Sequence, residues 1–211
     1  MAKEINYTSL WLCGICILIF LVQLIIPGFT DAFMLTENAG IMPWQFFTAV
    51  FLHGSITHLF FNLFALFLFG LMLEGIIRSK KFLWLFIISG IFANLISFYW
   101  YPNALGASGA IMAVIGCLAV LRPGMTVWAF NLPMPMFIAA ILWVGAGVLG
   151  ILGFGDQGVG HLSHLSGIFV GVLYGIYLRV KYPQSKPGFS STRRIIIQEG
   201  PMRRWEDSNL R

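Results

Sequence analysis

Three polar clusters interrupt a strongly apolar chain, and their side chains are those an acyl-transfer site needs. The first is His58 with Asn62, four residues apart and therefore on one helix face. The second is Gly106-Ala107-Ser108-Gly109, and the third is His161-Leu162-Ser163-His164-Leu165-Ser166-Gly167. A serine hydroxyl is a weak nucleophile until a base removes its proton, and histidine is the usual base. The negative oxygen of a tetrahedral intermediate needs preorganised donors. Asn62, His58 and the Ser108 backbone N–H could supply them. No Asp or Glu accompanies these clusters, so the set reads as a Ser108–His164 dyad and not a triad. Gly106 and Gly109 would allow a tight turn and close backbone approach to a substrate.

Each cluster also has a packing explanation. Small residues at the start of a membrane helix serve close helix contact, and Gly167 with Gly171 has the spacing of a helix-packing pair. His58 and Asn62 could be an interhelical hydrogen-bonding pair, the role assigned to Asn94. A third chemistry is zinc, because His161 and His164 form HxxH and His53 and His58 lie nearby in sequence. HxxH lacks the glutamate base of a zincin motif, and a metal leaves Ser108 unexplained. No metal and no cofactor are expected.

The elements that must position these groups are membrane helices. Of 211 residues, 58% are hydrophobic and only 10% charged, against about 45–50% and roughly 25% in soluble domains. Twenty Phe and seven Trp exclude a disordered chain, and the length suits one domain. Six apolar runs stand out: Leu10–Ile26, Thr57–Ile77, Phe82–Tyr101, Ala104–Leu121, Pro135–Gly153 and Gly160–Leu178. All reach the roughly 17–25 residues of a spanning helix. The expected fold is therefore an all-α, polytopic bundle of six transmembrane helices, with one long loop, Pro27–Ile56. The first run is expected to be an uncleaved helix, since no small-residue cleavage site follows it.

All thirteen Lys and Arg fall on one side of this arrangement, in the N-terminal tail, the 78–81 turn, the 122–134 loop and the C-terminal tail. The opposite loops carry only Asp31, Glu37 and Asp156. The positive-inside rule makes the basic side, termed inner, cytoplasmic, together with both termini. The membrane is expected to be the plasma membrane. Residues 1–180 form the membrane domain, and 181–211 a basic tail expected to be partly disordered. Contact with anionic lipid headgroups accounts for the tail's charge, and no nucleic-acid motif is present. Cys13, Cys16 and Cys117 lie inside apolar runs and are expected to be inert thiols.

The second, fourth and sixth runs all cross from outside to inside. Ser108 and His164 are each the fifth residue of their runs, roughly 6 Å below the outer end. His58 and Asn62 bracket that depth, so hydroxyl, imidazole and amide can meet in one layer.

His58-Leu-Phe-Phe-Asn62, Gly106-Ala-Ser108-Gly109 and His164-Leu-Ser-Gly167-xxx-Gly171, in that order on a six-helix frame, resemble the rhomboid intramembrane serine proteases from Pro43 to about Val180. The resemblance implies Ser108 as nucleophile, His164 as base, and His58 and Asn62 at the oxyanion hole. It implies transmembrane protein substrates within the lipid bilayer and leaves the oligomeric state open. It also implies a structural role for Glu74, a hydrogen-bonding role for His53, and a substrate gate and cap at the fifth helix and Phe154–Val159. Two positions depart from the family. Trp44-Gln45 stands where Trp-Arg is usual, which removes a charge that helps anchor the first loop. Met112 occupies a position, four residues after the nucleophile, where many members place an aromatic group against the catalytic histidine; sulfur can pack there instead. The alternative function is a catalytically silent rhomboid-like binder of membrane proteins. Such relatives typically lack the serine or the histidine, and this chain has both. A transporter would want ionisable residues at the midplane, and Glu74, near the inner edge, is the only acid within the runs.

Overall fold

The structure, a computed structural model, describes residues 6–101, 103–129, 131–154 and 159–182. Six apolar helices account for most of it: α1 (Thr8–Ile25), α2 (Ile56–Ile77), α3 (Ser79–Phe98), α4 (Ser108–Leu121), α5 (Met136–Phe154) and α6 (His161–Lys181). Five are long and apolar enough to cross a bilayer, and α4, at 14 residues, is not. The tail beyond residue 182 and residues 155–158 of the expected cap lie outside the described residues.

The bundle is ordered like a solvent-free core turned outward. Trp11, Leu18, Leu24, Phe60, Phe61, Trp84 and Leu152 are exposed on its flanks, as befits surfaces facing hydrocarbon. Because lipid is as apolar as leucine, helices in it associate through close packing and polar contacts. The centre is α4, where Gly109, Ala110, Ile111, Ala113, Val114, Ile115, Gly116, Cys117 and Leu118 are all buried. Its closest neighbour is α6. A Cβ at Gly167 would overlap the Gly109 carbonyl oxygen, and one at Gly171 would overlap that of Ala113. From the other side, a Cβ at Gly116 would lie 2.5 Å from Ile168 O. The glycines let two backbones touch.

The fourth apolar run was expected to be helical from Ala104, but α4 starts at Ser108. Gly106 adopts φ +128°, a conformation that side chains disfavour. The flanking backbone is also committed elsewhere: Ala104 O accepts from Leu35 N–H and Gly106 N–H donates to Ala49 O, both at 2.9 Å. Fourteen residues make about 21 Å of helix against a hydrocarbon thickness of about 30 Å, so α4 is too short to cross the bilayer by itself.

The loop Pro27–Ile56 folds into short helical pieces at Phe29–Phe33, Glu37–Gly40, Gln45–Thr48 and Ala49–Phe51. Gln45, 1% exposed, anchors it without a charge. Its Oε1 accepts from Thr36 N–H (3.1 Å) and Thr36 Oγ1 (2.9 Å). Asn94 on α3 donates to Phe46 O at 2.9 Å, so this bond goes to the loop's backbone and departs from the interhelical role expected of it. At the inner end, Glu74 accepts from Thr8 N–H, Ser9 N–H, Ser9 Oγ and Ser79 Oγ at 2.6–3.0 Å. It thereby caps α1 and ties it to α2 and α3, the structural role the resemblance implied. Between α4 and α5, where a plain loop was expected, strands β1 (Thr126–Ala129) and β2 (Leu132–Pro135) pair antiparallel.

Candidate active site

Ser108 opens α4, and His164 lies in the first turn of α6. The His164 Nε2 and Ser108 Oγ atoms are 2.7 Å apart, a hydrogen bond between residues that only the α4–α6 packing brings together. Both side chains are half-buried. Gly109, next to the serine, is buried in close packing; a Cβ there would fall 2.5 Å from Ala93 Cβ and 3.2 Å from Ser163 Oγ. Met112 is partly buried beside Gly167, whose Cβ would lie 3.3 Å from Met112 Cβ.

Ser55 caps α2, its Oγ accepting from His58 N–H at 3.1 Å, and so fixes where the His58 ring leaves the helix. A Cβ on Gly106 would lie 2.8 Å from His58 Cε1 and Nε2 and 3.9 Å from Ser108 Oγ. Gly106 therefore serves twice, holding a positive φ and leaving room for an imidazole beside the serine. Asn62 is buried, and its Nδ2 donates to His58 O at 2.9 Å. That bond uses one of its two N–H donors and orients the amide. The first intrahelical bond of α4 is Ile111 N–H to Ala107 O, so the N–H groups of Ser108, Gly109 and Ala110 have no acceptor within the helix. The positive end of the helix dipole thus faces the serine, where an oxyanion would form.

His53 differs from expectation. Its ring packs edge-to-face on His58, with centroids 5.1 Å apart, yet neither ring nitrogen has a hydrogen-bond partner. Burial, with His58 adding to it, pushes the His53 imidazole down to about 4, so the ring is neutral packing. Its backbone makes the bonds instead, donating to Gln23 Oε1 (3.0 Å) and accepting from Gln23 Nε2 (3.2 Å). Gln23, not singled out in the sequence, was visible there as a lone amide in an apolar run. Tyr101 was also missed; its hydroxyl accepts from Leu162 N–H at 3.1 Å and fixes the start of α6. The zinc reading finds no cluster of three His, Cys, Asp or Glu among the described residues. The ring of His161 lies instead against Gly150 of α5. All three cysteines are free thiols.

A family profile described as Rhomboid domain matches residues 41–181. The chain is 30% identical over 174 residues to a Haemophilus influenzae protein named Rhomboid protease GlpG, covering 79% of this chain and 88% of that one. It is 34% identical over 144 residues to Rhomboid protein 1, mitochondrial, of Saccharomyces cerevisiae, covering 62% and 40% respectively. A third relative is Rhomboid-like protein 11, chloroplastic, of Arabidopsis thaliana, 32% identical over 158 residues and covering 67% and 54%. The chain thus spans less than two thirds of the length of the yeast and plant proteins. The matched domain takes in α2 to α6, every helix that frames the Ser108–His164 pair, and the chain belongs to the rhomboid family of integral, multi-pass membrane proteins.

Proposed function

We propose that this chain is an intramembrane serine endopeptidase that hydrolyses peptide bonds in or near transmembrane segments of protein substrates. The observation that carries this reading is the 2.7 Å contact between Ser108 Oγ and His164 Nε2, set at the half-buried head of a buried helix. Ser108 Oγ attacks the scissile carbonyl carbon while His164 Nε2 takes its proton, so the neutral tautomer carries its hydrogen on Nδ1. The carbonyl oxygen becomes an oxyanion held by the Ser108 N–H and the Asn62 amide, with His58 beside them. His164 then returns the proton to the leaving amine, and the C–N bond breaks to give an acyl-enzyme. Water, deprotonated by His164, hydrolyses the ester. Glu74, the one carboxylate within the six helices, lies twelve residues from Asn62 along α2, roughly 18 Å away, so the pair works as a dyad. A transmembrane substrate must unwind first, because helical carbonyls in lipid are bonded internally.

The basic residues favour a plasma-membrane orientation with both termini cytoplasmic. The deciding experiment is labelling of the purified protein by a fluorophosphonate, with Ser108→Ala and His164→Ala for comparison. Labelling and substrate cleavage lost in both variants are expected. A folded wild-type protein that no fluorophosphonate labels would overturn the reading in favour of a non-catalytic binder.

A further inference from the structure

The inner end of the bundle brings like charges together. Lys81 lies in the first turn of α3 and Lys181 closes α6, and the two helices pack on one another. Tyr182 then leaves the helix with its N–H still bonded to Leu178 O at 2.9 Å. Its ring receives both lysines, Lys81 Nζ standing 4.3 Å and Lys181 Nζ 5.9 Å from the centroid. Lys181 also donates to Tyr177 Oη at 2.7 Å. Aromatic faces attract ammonium groups, which accounts for where each lysine is held but leaves their mutual repulsion unbalanced.

A carboxylate would be the usual counterion, and the described residues offer none at this end. Asp31 and Glu37 belong to the outer loop, and Glu74 already accepts from Thr8, Ser9 and Ser79. The spare hydrogen-bonding capacity is all of one kind. An ammonium carries three donors, and Lys181 spends one on Tyr177. The Tyr177 hydroxyl, having accepted that bond, keeps its own O–H to donate. Contacts of 4.3 and 5.9 Å to one ring set the two Nζ atoms within about 10 Å of each other. A phosphate accepting at about 2.7–2.9 Å from each bridges such a pair with small adjustments of two flexible stems.

The surface beside the cations selects the carrier of that phosphate. Exposed Leu173, Ile176, Tyr177 and Val180 recur at helical spacing along α6, and exposed Trp84 and Ile88 follow Lys81 at three and seven residues along α3. Residues so spaced share a helix face. Each lysine therefore heads an apolar row that runs into the membrane, as a phosphate headgroup heads its acyl chains.

We propose that Lys81, Lys181 and Tyr182 form a binding site for the headgroup phosphate of an anionic phospholipid, which ties the inner start of α3 to the inner end of α6. The site is independent of whether Ser108 is a nucleophile.

The test titrates the full chain, in a neutral detergent, with phosphatidylglycerol and follows the first bound lipid by native mass spectrometry. One phosphatidylglycerol should be retained at concentrations where phosphatidylcholine is not. A basic residue at a membrane surface strengthens such binding about fivefold, so Lys81→Gln and Lys181→Gln should each weaken it about fivefold and the double variant about 25-fold. Lys80→Gln removes the same charge from the exposed neighbouring position and should change binding by less than about twofold, since no ring gathers that lysine into the site. Tyr182→Ala should weaken binding by taking away the shared ring, and Tyr182→Phe should not. Equal losses in Lys80→Gln and Lys81→Gln would overturn the site in favour of diffuse surface charge, as would phosphatidylcholine bound as tightly as phosphatidylglycerol. Millimolar inorganic phosphate should displace no lipid; displacement would overturn the phospholipid as occupant and assign the site to free phosphate.

Discussion

Replacing Gly171 with alanine isolates the dependence of the dyad on helix spacing. Gly171 is seven residues from His164 along α6, roughly 10 Å along the axis, and it touches no reacting group. A Cβ there would lie 2.7 Å from both the Cα and the carbonyl carbon of Ala113, where ordinary contact begins at 3.4 Å. The obstacle is backbone and cannot rotate away, so α6 must retreat from α4 by at least about 0.7 Å. Carried rigidly to His164, that shift stretches the 2.7 Å bond to Ser108 to about 3.4 Å, beyond the roughly 2.6–3.2 Å reach of a general base. Misplacement on the order of 1 Å costs about 100-fold in rate. Overpacking of this kind costs about 1–3 kcal/mol in stability, small enough for a folded variant to be purified. The expected result is a folded protein whose fluorophosphonate labelling and substrate cleavage both fall about 100-fold. Gly14→Ala on α1, where a Cβ meets nothing within 4 Å, should change neither rate by more than about twofold, as surface changes of this kind do. Wild-type labelling in folded Gly171→Ala would refute the argument that these glycines set the dyad.

Further substitutions probe other parts of the same construction. Asn62→Ala removes one oxyanion donor, and kcat should fall about 10²–10³-fold with labelling still detectable; an unchanged kcat would remove Asn62 from the site. Glu74→Ala strips the acceptor from four donors at the inner end, so unfolding in detergent should come about 3 kcal/mol or more sooner, and an unaltered melting temperature would contradict the capping role. Gln45→Arg restores the residue usual in the family yet takes the acceptor from Thr36 and buries a cation, which should destabilise the loop by about 2 kcal/mol or more; a gain in thermal stability would show that the charge anchors better. His53→Phe breaks no side-chain hydrogen bond and should cost under about 1 kcal/mol; a loss above about 2 kcal/mol would mean that the imidazole nitrogens are used.

The helices were legible because a bilayer allows few alternatives: each backbone polar group must be satisfied internally, so a long apolar run is a helix. What lay outside that constraint was harder to read. The fourth run lost its first turn to Gly106 and to bonds that Leu35 and Ala49 make with its backbone, contacts across some 55–70 residues that no local pattern encodes. The folded first loop is tied by Gln45 reaching back nine residues to Thr36, a bond between irregular segments that no helical or strand period marks. The inner hairpin has strands of four residues with Pro133 and Pro135 inside the second, too short and too interrupted for period-two alternation to stand out. The hydrogen-bonding role of His53 was carried over from the family resemblance, whereas here its ring packs on His58 and only its backbone bonds Gln23.

The candidate site was legible in composition and depth but not in cause. Gly167 and Gly171 carry two readings in the sequence, as helix packing and as neighbours of a candidate catalytic histidine, and on the sequence alone these compete. In the folded chain they are one fact. A hydrogen bond between hydroxyl and imidazole tolerates only a few tenths of an ångström of error, and in lipid no hydrophobic force presses α4 and α6 together. Steric contact between two backbones is the stiffest ruler available there. By removing the side chains at 167 and 171, the sequence lets Gly109 O and Ala113 O set the spacing of the two helices. Ser108 and His164 are each carried on the first turn of one of those helices, so the same contact that packs the bundle places His164 Nε2 2.7 Å from Ser108 Oγ. Under the proposed mechanism, packing is how the chemistry is positioned.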